Sequence, residues 1–148
     1  MMTPQRKRWW LKQFEALEVY DDWRDFEWQK QRWANFSPWE FYSKGDGKLA
    51  IDEYALDCLQ ALRTEIGKPI QINSAFRSVA YNRRIGGSKW SMHKLAIAFD
   101  INLHGHDRKD LTEAAIANGF NGIGQYRTFI HIDTRPWTAR WDQRWRGK

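Results

Sequence analysis

Two histidines and an aspartate in apolar surroundings mark the chemistry that this chain can do. His93 and Asp100 fall in the run Ser91-Met92-His93-Lys94-Leu95-Ala96-Ile97-Ala98-Phe99-Asp100, and His131 in Phe129-Ile130-His131-Ile132-Asp133. Zn²⁺ takes neutral imidazole nitrogen and carboxylate oxygen, and a catalytic zinc keeps three protein ligands and one open position. The three residues therefore form a candidate tripod. His104 and His106 offer a rival pair at His-x-His spacing, but they sit in a glycine-containing loop and are expected to stay clear of the metal.

The tripod needs elements that aim it. From Ile97 to Leu103 the residues alternate, with Ala98, Asp100 and Asn102 on one face and Ile97, Phe99, Ile101 and Leu103 on the other. That is a strand with its apolar face in the core and Asp100 on the opposite face. Phe129 to Asp133 alternates too, so His131 and Asp133 share a face. An acid and an imidazole on adjacent strands, with His93 arriving from the preceding loop, can converge on one ion.

Helical patterns precede and separate these strands. Asp52 caps a helix whose buried stripe is Ala55, Leu56, Leu59, Leu62 and Ile66; Gly67 ends it and Pro69 prevents continuation. Ser37-Pro38-Trp39-Glu40 reads as a capped helix start. Ile70 to Asn73 is a short strand, and Val79 to Arg84 a helical turn leading into Gly86-Gly87. Leu111 to Asn118 is a second helix, with Asp110 and Glu113 as its capping box and Gly119 as its stop. Gly122 to Tyr126 and Phe129 to Thr134 are strands joined at Arg127-Thr128. Gln5 to Trp33, rich in charge and aromatic residues, reads as one or two helices. Helices first, then a mostly antiparallel sheet, make an α+β domain.

These residues resemble the M15 zinc peptidases: D-Ala-D-Ala carboxypeptidases, phage L-alanyl-D-glutamate endopeptidases and murein endopeptidases. That family's pattern is Ser-x-His, six residues, Asp, and later His, often within His-x-Asp. Here it falls on Ser91, His93, Asp100, His131 and Asp133, flanked by Ser74-Ala75-Phe76-Arg77-Ser78 and Gly122-Ile123-Gly124-Gln125-Tyr126. The resemblance covers roughly residues 35–141. It leaves residues 1–34 as a Trp-rich basic N-terminal extension and 35–148 as the peptidase-like domain. Relatives usually carry Gly where Ala96 stands. The resemblance implies the hedgehog/DD-peptidase fold, Zn²⁺ on His93, Asp100 and His131, and hydrolysis of peptide bonds in peptidoglycan. It also implies that Arg77 holds a substrate carboxylate or backbone, and that Ser91 contacts substrate. Many relatives place an acid a few residues before the last His, but Gln125-Tyr126-Arg127-Thr128 contains none. Asp133 is then the nearest acid, either the catalytic base or a support that orients a ligand. Gln125 can bind substrate or water but cannot be a base. Trp90 and Tyr126 are expected to line the cleft.

Composition narrows the alternatives. A chain of 148 residues is about one domain. A mean hydropathy of −0.78 and no long apolar run argue against a transmembrane helix. Trp9-Trp10-Leu11 is too short for a signal core, so synthesis in the cytosol and another route to the wall are expected. With the resemblance, that suits a phage or prophage lysis enzyme. Cys58, the single cysteine, reads as a small core residue. The net charge of +6 attracts polyanions, and basic residues gather at both ends: Arg6, Lys7, Arg8 and Lys12, then Arg135, Arg140, Arg144, Arg146 and Lys148. Six of the ten Trp precede residue 40, either packing onto the domain or forming a surface patch. Two rival readings stand beside the peptidase: an inactive zinc-binding module of the same fold, and a basic, Trp-rich nucleic-acid or virion structural protein. No base-recognition motif supports the latter.

Overall fold

The computed structural model describes residues 2–145, so Arg146 and Lys148 of the C-terminal basic group lie outside the described residues. A five-stranded sheet carries the domain, in the order β1-β2-β4-β3-β5. Its strands are β1 (Ile72–Ser74), β2 (Ala98–Asn102), β3 (Gly122–Gln125), β4 (Phe129–Asp133) and β5 (Ala139–Asp142). Every pairing is antiparallel except that of β3 with β5. The helices are α1 (Pro4–Ala16), α2 (Glu53–Ile66), α3 (Val79–Arg84) and α4 (Arg108–Ala117).

Two helices, α2 and α4, cover one face of the sheet. Leu56, Leu59 and Leu62 of α2 and Leu111 and Ala115 of α4 pack with Phe99, Ile101, Ile123, Ile130 and Ile132 in one buried cluster. The alternation of β2 and β4 thus puts their apolar residues under the helices and turns Asp100, His131 and Asp133 to the other side. Asp52 caps α2 by accepting from the Ala55 amide, and Gly67 ends it in the left-handed conformation at φ 68°.

Several expectations shift. α4 starts earlier than the apolar pattern suggested. Asp107, not Asp110, is its N-cap, accepting from the Asp110 amide at 3.0 Å. Asp110 therefore lies inside the first turn, where its charge suits the helix dipole. The N-terminal stretch is helical only to Ala16. Beyond it Tyr20 bridges to Leu49 and the Trp23 amide bonds to the Gly47 carbonyl at 2.9 Å. Long-range pairing overrides the local helix preference, and only a short 3₁₀ turn, Trp23–Asp25, follows. Ser37-Pro38-Trp39-Glu40 does form a capping box, but on a single 3₁₀ turn. The edge strand β5 alternates Ala139 and Trp141 with Arg140 and Asp142, but four residues are too few to announce a strand.

The early tryptophans pack on the domain. Trp10 and Trp33 are buried in the main core, and Trp33 Nε1 donates to Asp57 Oδ1 at 2.9 Å. Trp39 and Trp145 stay exposed. Cys58 is buried in the same core. Among the described residues, no helix is long and apolar enough to cross a membrane.

Candidate metal centre

Register brings the tripod together. Asp100 on β2 lies directly opposite His131 on β4, and His131 opposite Gly124 on β3. His93 comes from a 3₁₀ turn, Met92–Leu95, just before β2. Ser91 caps that turn, its Oγ accepting from the His93 amide at 3.2 Å. Ala96 then takes the left-handed conformation, at φ 62°, and swings the chain into β2. Left-handed backbone disfavours any residue with a Cβ, which accounts for the glycine that relatives carry there. The Arg77 amide ties the turn to the end of β1 by bonding to the His93 carbonyl at 3.1 Å.

His93, Asp100 and His131 are all buried, and each offers a ligand atom within 4.8 Å of the others. His93 Nε2 lies 3.2 Å and His131 Nδ1 3.1 Å from Asp100 Oδ1. A tetrahedral ion with bonds of about 2.0–2.1 Å spans ligand–ligand edges of about 3.3 Å, so these separations fit zinc. The outer ring nitrogens define the tautomers. His93 Nδ1 lies 2.7 Å from the Ala75 carbonyl, and His131 Nε2 lies 2.7 Å from Asp133 Oδ2. In the neutral imidazoles each outer nitrogen must carry the hydrogen, which leaves both inner nitrogens with a lone pair turned to the centre.

Asp133 is wholly buried and makes no opening to the cleft. Its Oδ1 accepts from the Arg135 Nε at 2.8 Å and the Arg135 amide at 3.2 Å. Its Oδ2 accepts from Arg135 Nη2 at 2.7 Å as well as from His131. Gly122 makes room for it: a Cβ there would run into the Asp133 carboxyl. Gly124 likewise leaves space for the Trp141 ring, which leans on His131 with centroids 5.1 Å apart.

Electrostatics follow from these contacts. Burial pushes the Asp100 carboxyl up, but the His93 and His131 imidazoles outweigh it and hold it well below the usual carboxylate range. Burial raises Asp133 too, and the Arg135 and His131 hydrogen bonds more than reverse that. Burial pushes His93 down despite Asp100. Burial opposes charge on His131 as well, yet its bonds to two carboxylates, Asp100 and Asp133, push it up to about 9. The imidazoles part because only His131 has a second carboxylate.

A cleft of about 720 Å³ opens above His93, Asp100 and His131. Arg77, Ser91, Trp90, Tyr126, Arg135 and Trp141 are among its walls. Arg77 is held by Ser74 Oγ at 3.2 Å from Nε and stands 3.6 Å from Asp100 Oδ2. The Tyr126 hydroxyl accepts from Trp141 Nε1 at 2.9 Å. The structure does not bring Gln125 to this cleft. Its Oε1 accepts from Arg108 Nη1 at 2.6 Å and its Nε2 donates to Thr112 Oγ1 at 3.0 Å, on the α4 side of the sheet. Strand alternation explains this: Gln125 pairs with Ile130, one place out of phase with His131. His104 and His106 also stay apart, His106 Nε2 bonding to the Pro69 carbonyl at 2.9 Å. Sequence reasoning missed Arg135 and Trp141. For Trp141 the signal was the alternation of Ala139 and Trp141 with Arg140 and Asp142; Arg135, outside the strands, carried none.

An α+β domain whose sheet and adjoining turn aim two histidines and an aspartate at one point has the ligand set of a site for one metal ion. A family model described as Peptidase M15 matches residues 34–133, and the chain belongs to that family. A curated relative, the zinc D-Ala-D-Ala carboxypeptidase of Streptomyces albus G, is 39% identical over 90 residues, which cover 55% of this chain and 35% of that protein. The chain thus spans about a third of the length of the curated relative it matches.

Proposed function

We propose that this protein is a zinc metallopeptidase that hydrolyses peptide bonds in the stem peptides or cross-links of peptidoglycan. The observation that carries the reading is the convergence of His93 Nε2, Asp100 and His131 Nδ1 at the base of the cleft. Family membership and the carboxypeptidase relative support it. Bound there, zinc would supply Lewis acidity, polarising a carbonyl and acidifying a water.

The chain's own residues prepare that chemistry. Ala75 and Asp133 fix the two imidazoles with their lone pairs inward. We assign Asp133 the orienting role, because all its oxygens are engaged by His131 and Arg135 behind the ligands. Arg77 would grip a substrate carboxylate with a planar two-donor fork. Ser91, its carbonyl held by Trp10 Nε1 at 3.2 Å, would meet the peptide at the cleft wall. A net charge of +6 favours approach to an anionic cell wall, the setting of a phage or prophage lysis enzyme.

Mass spectrometry of purified sacculi digested by the zinc-loaded protein tests the reading. New stem-peptide ends, absent after chelation and restored by zinc, are expected. Sacculi left intact by protein with a full complement of zinc would favour the inactive zinc-binding module instead.

A further inference from the structure

We infer that α1 completes a second binding site beside the cleft, one that takes a carboxylate-bearing extension of the peptide substrate. The inference deepens the peptidase reading and rests on it. A groove of about 540 Å³ lies between α1 and the segment from α3 to the His93 turn. Trp10, Leu11 and Phe14 supply one wall; Arg83, Lys89 and Lys94 supply cations on the other. α1 precedes the stretch that matches the family, residues 34–133. The aromatic wall thus lies outside the matched stretch, and the cations lie within it.

The charge of the groove is uncompensated. Lys94 is buried, yet among the described residues its amine bonds only to the Lys89 carbonyl, at 3.0 Å, and rests over the Trp10 and Phe14 rings at 5.0 and 5.6 Å. Lys7 and Lys89 both stand over Trp90, at 5.3 and 5.2 Å. Among the described residues, no carboxylate comes within ion-pair range of Lys7, Arg83, Lys89 or Lys94.

Two features choose the guest. Gly87 lines both the groove and the catalytic cleft, and Trp90, over which Lys7 and Lys89 lie, is a wall of the cleft. A peptide longer than the cleft would pass directly from one to the other. The groove is also lined mainly by rings and apolar stems, with Lys94 set among them. That suits a side-chain-sized carboxylate with an apolar flank, whereas a phosphate polymer would want an open cationic stripe.

The test uses the zinc-loaded full chain and pairs of synthetic peptides whose scissile amide is replaced by an uncleavable reduced bond. One peptide of each pair carries a two-carboxylate extension, its twin the matching carboxamides, with extensions placed at either end in turn. Binding is read from tryptophan fluorescence. The acid should bind at least about tenfold tighter than its twin at one end, the scale of a charge-assisted hydrogen bond. In Lys89→Gln/Arg83→Gln that advantage should fall below about threefold, with the carboxamide peptide bound as before. Equal binding of acid and carboxamide by the wild type, or an advantage kept by the double variant, would overturn the inference. So would inorganic polyphosphate outcompeting the acidic peptide, which would make the groove a polyanion site. Cleavage of an unextended peptide is scored in parallel. Its absence beside a retained acid preference would sink the catalytic reading and leave the groove standing.

Discussion

Replacing Asp133 by Asn keeps the size of the side chain but cannot keep its hydrogen bonds. The carboxylate accepts four: Arg135 Nε and the Arg135 amide on Oδ1, Arg135 Nη2 and His131 Nε2 on Oδ2. An amide has one acceptor and one NH₂. If the NH₂ faces His131, the imidazole must accept at Nε2 and carry its hydrogen on Nδ1, on the metal side. If the NH₂ faces the other way, Arg135 Nε and the Arg135 amide meet a donor. The first orientation should weaken zinc binding roughly 10- to 100-fold, the usual effect of losing a ligand's outer partner, or about 1.4–2.7 kcal/mol. Both orientations break a pair whose acid is fully buried, which should cost about 3–5 kcal/mol of stability. Competition against a chelator of known affinity gives the first quantity, and thermal unfolding followed by circular dichroism the second. Turnover falling by roughly two to four orders of magnitude with zinc affinity unchanged is the signature of a lost general base. That result would refute the orienting role.

Three further outcomes follow from the site. Removing zinc by chelation should lower the melting temperature by roughly 10 °C, since the ion joins the His93 turn, β2 and β4, and zinc at a thousandfold excess over Kd contributes about 4 kcal/mol; an unchanged transition after confirmed removal would contradict it. In the metal-free protein His131 is pushed up to about 9, so zinc must displace a proton there, and apparent affinity measured by titration calorimetry should rise about tenfold per pH unit across neutrality and flatten above that value. The same raised value means that His131's contribution to metal-free stability is complete below its ordinary 6.5 and is lost as pH rises through about 9. Arg77→Lys should lower kcat/KM on a peptide ending in a carboxylate by at least about tenfold, with zinc retained, because Lys lacks the two-donor fork; unchanged kinetics would remove the clamp.

The His-Asp-His cluster was legible because strand alternation and residue chemistry coincide at Asp100 and His131, and the antiparallel register then sets them face to face. The same period, applied to Gly122-Ile123-Gly124-Gln125, already separates Gln125 from Gly124 and so from His131. The family's substrate motif obscured that signal. Other features depended on contacts that no local pattern carries. α1 ends at Ala16 where no Gly or Pro follows, because Tyr20 and Trp23 pair with the segment around Leu49 and Gly47. Arg135 and Trp141 gained their roles only when β5 laid Trp141 over Gly124 and Arg135 closed on Asp133. Ala96 could be named as a departure from glycine, but its φ of 62° shows why glycine suits that turn.

One zinc ion held by His93, Asp100 and His131 is the central expectation. Anomalous diffraction from zinc-soaked crystals, recorded on both sides of the zinc absorption edge, locates the ion directly. A single strong peak is expected, at about 2.0–2.2 Å from His93 Nε2, an Asp100 carboxylate oxygen and His131 Nδ1. A peak at His104 and His106, or none in a crystal whose protein retains the fold, would contradict it.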